Sequence, residues 1–216
     1  QVQPRPEARQ AVSIRQLRAS LKVWQARLAY RRRKHAFYHT RSKRPEAERK
    51  ALATKWHKLE QEAAWHVSRR RKQIAAKEAL RLRAYKVAAG LIGTMEQGGN
   101  NAGPMVSKII RANGGVGPEP WCGDFVAYCY RLAGSKAVTR SWASVRALGG
   151  LAGIKRSPAP LRGDLVRFSF DHVGMFDKDN GDGTITTIEG NTGASGAVSD
   201  SSTGGDGVYR KKRHKS

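Results

Sequence analysis

Positive charge in this chain is gathered at its two ends, and that segregation constrains what its 216 residues can fold into. Residues 1–90 hold 25 Lys and Arg against 6 Asp and Glu, a net +19, whereas residues 91–209 hold 11 of each and are neutral. Arg210 to Ser216 adds five more positive charges. Segments of such different charge density are different physical objects. The chain therefore reads as a basic arm over 1–90, a neutral domain over 91–209 and a basic tail over 210–216.

The arm has helical periodicity. Within Ala8 to about Thr40 the apolar residues Ile14, Leu17, Leu21, Trp24 and Leu28 step by three and four, a heptad-like stripe that stops at Arg31-Arg32-Arg33-Lys34. Thr40 to Arg44 is polar, and Pro45 suits the first turn of a new helix. Leu52, Trp56, Leu59, Ala63 and His66 or Val67 resume the stripe, and Ile74 and Leu80 carry it more weakly toward Gly90. Two long amphipathic helices with a break near 40–45 are predicted, as an antiparallel hairpin or as coiled-coil arms that pack on another chain.

The Arg/Lys runs at 31–34 and 69–72 are the polar faces of these helices. They read either as a solvated face or as a surface for a polyanion: nucleic acid, an anionic membrane surface or an anionic cell-wall polymer. Binding of that kind is salt-dependent and poorly specific. No zinc-finger spacing or ribonucleoprotein aromatic signature is present, which argues against sequence-specific DNA recognition. His35, His39, His57 and His66 read as surface histidines, with no acidic or cysteine company at ligand spacing, so no metal is expected.

The neutral domain begins with a Gly/Asn-rich loop, 98–104, leading to a short helix with Val106, Ile109 and Ile110 that stops at Gly114. After a second loop comes Pro120-Trp121-Cys122-Gly123-Asp124-Phe125-Val126, where Phe125, Val126, Cys129 and Leu132 recur at helical spacing. Cys122 thus falls on the first turn of a helix, where unpaired amides and the helix dipole favour a thiolate. A third helix is predicted around Ser141 to Leu148. Beyond Pro158 and Pro160 the texture turns to strands at 164–170, 171–176 and 184–189, with a short last strand including Val208 and Tyr209. Helices followed by an antiparallel meander make an α+β domain. Asp177 to Gly183 looks like a calcium loop, but a Gly falls at its fifth position and no Glu at its twelfth, so it reads as a hairpin turn.

Two unpaired thiols suit a reducing compartment: Cys122 and Cys129, seven residues apart on one helix, are roughly 10 Å from each other, beyond a disulfide. The opening QVQPRPEARQ has no apolar core, which predicts synthesis in the cytoplasm without a signal peptide. A lone buried cysteine is more often core than catalyst. Here, however, His172 opens a strand and Glu189-Gly190-Asn191 ends the next one. A thiol nucleophile needs a base, and the base needs a group that orients it. Adjacent antiparallel strands bring such a pair together.

The block PWCGDFVAYCYRLAG at 120–134, with GDLVRF at 163–168, HVGMF at 172–176 and TIEGNTG at 187–193, resembles the CHAP family, the cysteine, histidine-dependent amidohydrolases/peptidases of papain-like fold. The lead-in from Glu96 to Gly114 resembles the phage and actinobacterial branch. The resemblance spans about residues 91–209 and implies cleavage of an amide or peptide bond of peptidoglycan, without a cofactor. By position it implies Cys122 as nucleophile, His172 as general base and then acid, Glu189 as orienter, and Asn191 as a polar assistant to His172 or to the oxyanion. Trp121, Asp124 and Trp142 become candidate substrate contacts, with core packing the competing reading for the two tryptophans. Glycine more usually precedes the family's histidine; Phe170-Asp171 stands there instead. The calcium-binding Asp-rich loop of some members has no counterpart before Cys122, so no metal is carried over. A lysis enzyme released into the wall and a virion-borne hydrolase docked on other virion subunits, or self-associated through residues 10–90, both fit. The non-enzymatic alternative is a polyanion-binding or virion structural protein with an inactive hydrolase-like domain.

Overall fold

The computed structural model of the chain describes residues 13–40, 42–151, 154, 156–194 and 205–215. They form two compact units, one over Val12–Glu78 and one that includes Ala79–Ser216.

In the first unit, α1 (Ile14–Thr40) and the leading part of α2 (Glu46–Gly90) run antiparallel on either side of a break that includes 42–45, as the polar stretch and Pro45 predict. The part of the predicted first helix before residue 13 lies outside the described residues. Leu17, Ala53, Ala63 and Val67 are buried in the seam, and small alanines at the contact let the helices approach closely. Trp24 stacks on His66 with ring centroids 3.7 Å apart, while Arg18–Glu78, Arg31–Glu62 and Arg32–Glu60 cross between the helices. The stripe does not end at Arg31. Arg31, His35 and Tyr38 continue the same three-four stepping as partly buried positions.

The second unit is α+β. It takes in the last turns of α2, where Ala84 and Ala88 are buried in its core although a boundary was expected at residue 90. Next come α3 (Pro104–Ala112), α4 (Cys122–Leu132), a 3-10 turn at Arg140–Ala143 and α5 (Val145–Leu148). The single helix predicted over 141–148 is thus broken at Ser144, whose hydroxyl caps α5 by accepting from the Ala147 N–H. Four strands follow: β1 (Leu165–Arg167), β2 (Val173–Asp179), β3 (Thr184–Thr192) and β4 (Gly207–His214), an antiparallel meander in the order β1-β2-β3-β4. The Asp177–Gly183 stretch closes the β2–β3 hairpin, with Gly181 and Gly183 at φ of 80° and 82°.

The last strand extends past the Val208–Tyr209 pair to His214 and is paired along most of β3, from Thr184↔His214 to Thr192↔Gly207. Residues 210–214, expected as a basic tail, are therefore sheet. Their alternating side chains Lys211 and Arg213 are buried.

The core lies between the sheet and α3, α4 and the end of α2, and it is built from Val106, Ile109, Phe125, Val126, Cys129, Val173, Met175, Ile188 and Val208. Cys129 is wholly buried within it, and burial pushes its thiol pKa up.

Candidate active site

Cys122 is the first residue of α4. Its neighbour Gly123 explains how it is placed. A Cβ on Gly123 would sit 2.5 Å from the carbonyl oxygens of both Trp142 and Ala143, so only glycine lets the 3-10 turn close over the start of the helix. On the other side Asn191, at φ 54°, holds the turn that enters α4. With its amide turned to match its neighbours, the oxygen accepts from the Trp121 N–H at 3.1 Å and the nitrogen donates to the Gly205 carbonyl at 3.0 Å. Asn191 was expected beside the imidazole or the oxyanion; in that amide orientation its two contacts go to backbone, one of them at the residue before Cys122.

His172 immediately precedes β2, and Glu189 lies on β3. The register pairs Met175 with Ile188, which sets Gly174 opposite Glu189 and makes His172 and Glu189 diagonal neighbours on one face. Gly174 is what lets them meet. A Cβ there would be 2.6 Å from Glu189 Cγ, so the carboxylate reaches the histidine across a position with no side chain. His172 Nε2 donates to Glu189 Oε2 at 2.9 Å. The other ring nitrogen, Nδ1, is not taken by Glu189, and Cys122 lies near enough to the imidazole to raise its pKa.

Cys122 is 5 % exposed, His172 2 % and Glu189 0 %. Burial by itself pulls the His172 pKa down, but the hydrogen bonds and charges of Cys122 and Glu189 outweigh it and raise it to about 9. Burial likewise pushes the Glu189 carboxyl up, but Arg213 first, then His172 and Thr187, override it and hold it at about 2. The carboxylate is saturated. Oε1 accepts from Arg213 Nε at 2.9 Å and Thr187 Oγ1 at 2.5 Å, and Oε2 accepts from Arg213 Nη2 at 2.5 Å and from His172.

Arg213 is itself 1 % exposed, and its guanidinium lies 5.2 and 5.3 Å from the ring centres of Phe168 and Phe170. Both rings are also stacked with His172. Phe170, standing where the family more usually has glycine, thus roofs the imidazole. Sequence reasoning missed Arg213, Phe168, Phe170 and Thr187. No signal in the sequence marked Arg213, because Arg210 to His214 are all basic and show no apolar–polar alternation.

The three candidate substrate contacts lie in the interior. Trp121 is fully buried, with Nε1 donating to Glu96 at 2.8 Å, and Trp142 packs against Tyr130 in the core. Asp124 is buried, accepting from Asn113 at 2.7 Å and Arg140 at 2.9 Å, and burial pushes its pKa up. A groove wall needs accessible area, which these three side chains lack; they fix the start of α4 instead.

The arrangement is a cysteine at a helix start, a buried histidine and a clamped carboxylate. The CHAP domain family model matches residues 113–191, a span that encloses Cys122, His172, Glu189 and Asn191 and ends before Arg213. No curated protein and no solved structure matches the chain.

Proposed function

From the premise that this chain carries a CHAP domain, we propose that it is a peptidoglycan hydrolase that cleaves an amide or peptide bond with Cys122 as nucleophile. The observation that supports this reading is the buried His172–Glu189 pair, 2.9 Å apart, set beside Cys122 at the start of α4. In the proposed cycle the Cys122 thiol gives its proton to His172 Nδ1 and the sulfur attacks the scissile carbonyl. The amide N–H groups at the start of α4 lack helical partners and face the oxyanion as it forms. His172 then protonates the leaving amine, leaving a thioester on Cys122. Water attacks that thioester, its proton passes to His172, and the carboxylic acid product leaves with the thiol restored. Glu189 fixes the Nε2–H tautomer and compensates the imidazolium at each protonated stage. Asn191 acts as a positioning residue for the Cys122 turn rather than on the reacting atoms.

The finer setting belongs to the same proposal. We read the chain as a phage-type lysin, free or virion-borne, whose basic arm attaches it to anionic wall polymer by charge; no helix among the described residues is long and apolar enough to cross a membrane. The test is the turbidity of purified cell walls treated with wild type and with Cys122→Ala. Wild type clears and the variant does not; clearing by both, or by neither, would sink the thiol mechanism. Mass analysis of the released fragments identifies the bond by which new amine and carboxyl termini appear.

A further inference from the structure

The seam of the helical hairpin changes character toward its turn. From Leu17 to Leu28 α1 offers apolar side chains, whereas the next seam positions are Arg31 and His35, both partly buried. An ionisable group there loses hydration without gaining apolar contact, so it needs a partner that satisfies it. Arg31 has the Leu59 carbonyl at 2.6 Å and Glu62 at 3.1 Å. His35 has Glu60, Nδ1 to Oε2 at 3.1 Å, and the ring of His57, with centroids 5.0 Å apart. One donor atom from each of His35, His57 and Glu60 lies within 4.8 Å of the other two.

We propose that His35, His57 and Glu60 form a binding site for a transition-metal ion of the zinc class, which ties α1 to α2. Two imidazoles and one carboxylate are the donors such ions take, with a fourth, tetrahedral position open to water. His57 and Glu60 are three residues apart and share a face of α2, while His35 comes from α1, so an ion among them bridges the two helices. Bonds of about 2.0–2.1 Å in a tetrahedron place donors roughly 3.3 Å apart. The His35–Glu60 edge is already near that length, and the exposed ring of His57 supplies the remaining movement. Glu60 Oε1 is held by Arg32 Nε at 3.1 Å, an outer contact that orients the carboxylate and leaves Oε2 for the ion. Calcium and magnesium do not fit: they need several oxygen donors, and the arm's positive charge opposes cations held by charge alone. Imidazole donors bind through nitrogen lone pairs and tolerate that field better.

The test uses full-length protein in a Cys122→Ala background, so that the catalytic thiol cannot act as a ligand. Cobalt(II) is titrated near neutral pH and followed by its visible absorption, then displaced with zinc. One ion per chain is expected, with an intense low-symmetry spectrum, and zinc raises the melting midpoint. His57→Ala and His35→Ala each weaken binding by at least about tenfold, while His214→Ala, on β4, leaves it unchanged. Circular dichroism of His57→Ala guards against lost folding, since that side chain is exposed. Failure of cobalt and zinc to bind, or equal affinity in the folded His57→Ala and His35→Ala proteins, overturns the proposal.

Discussion

Arg213→Met keeps much of the side chain's length and removes its charge. The substitution deletes two charge-assisted hydrogen bonds, of 2.9 and 2.5 Å, to a carboxylate that is 0 % exposed. Removing one partner of a buried ion pair costs about 3–5 kcal/mol, because the other charge stays buried. For a protein of this size that lowers the melting midpoint by roughly 6–20 °C. The effect on pH dependence is more specific. After burial, Arg213 is the leading influence on Glu189, and without it the carboxyl rises from about 2 toward or beyond its ordinary 4.5. In the range where His172 titrates the carboxylate stays ionised either way, and freed of the guanidinium it still bonds the imidazolium, so the raised His172 pKa of about 9 is kept. The signs are opposite for the two groups. The raised His172 pKa contributes stability in full below 6.5, lost as pH rises through 9; the lowered Glu189 pKa contributes in full above 4.5, lost as pH falls through 2. Arg213→Met narrows that window from its acid side, each unit of movement being worth about 1.4 kcal/mol. Melting midpoints and initial rates of wall clearing across the pH range measure both limbs. Arg213→Lys, with charge but no fork, recovers part of the acid limb. Arg213→Met/Glu189→Gln is less destabilised than the sum of its parts. An Arg213→Met protein whose acid limb coincides with wild type would refute the reasoning.

Gly123→Ala drives a Cβ to 2.5 Å from two carbonyl oxygens, so a loss of about 1–3 kcal/mol in urea unfolding is expected, with slower clearing as Cys122 shifts; an unchanged urea midpoint would contradict the close-approach argument. Iodoacetamide on the native protein labels Cys122 and spares Cys129, which is buried with its thiol pKa pushed up. Peptide mass mapping reads this, and early labelling at Cys129 would count against the assignment. A chain ending at Tyr209 loses the part of β4 that carries Arg213 and is expected to neither clear walls nor melt cooperatively, whereas a dispensable solvated tail predicts no change in either.

Local signals were legible where local physics decides. The helical spacing around Cys122, the β2–β3 turn glycines and the breaks at Pro45 and Gly114 depend on neighbours in the chain, and the structure has elements there. What escaped depends on partners far away in sequence. Five basic residues after Tyr209 resemble a solvated tail by composition, and only pairing with β3 turns Lys211 and Arg213 inward. His35 sits 22 and 25 residues from His57 and Glu60, so no ligand spacing announces their approach across the hairpin. Trp121 and Trp142 carry the same residue type whether they line a groove or fill a core, and burial alone separates the two. Asn191 was legible as a polar residue near the site, but its left-handed backbone, which turns the amide to Trp121, was not.

The position of β4 has a kinetic consequence. It is the last strand of the meander, and it also takes backbone hydrogen bonds at its start from the segment after α2, where Gly93 donates to the Val208 carbonyl and Val208 donates to the Thr94 carbonyl. These are among the longest loops the unit must close, and contacts of that sequence separation form slowly. A folding intermediate with β2 and β3 paired but β4 undocked would hold Glu189 against His172 without its guanidinium. Recovery of hydrolytic activity after dilution from denaturant is therefore expected to lag the return of helical signal and to coincide with the slowest refolding phase.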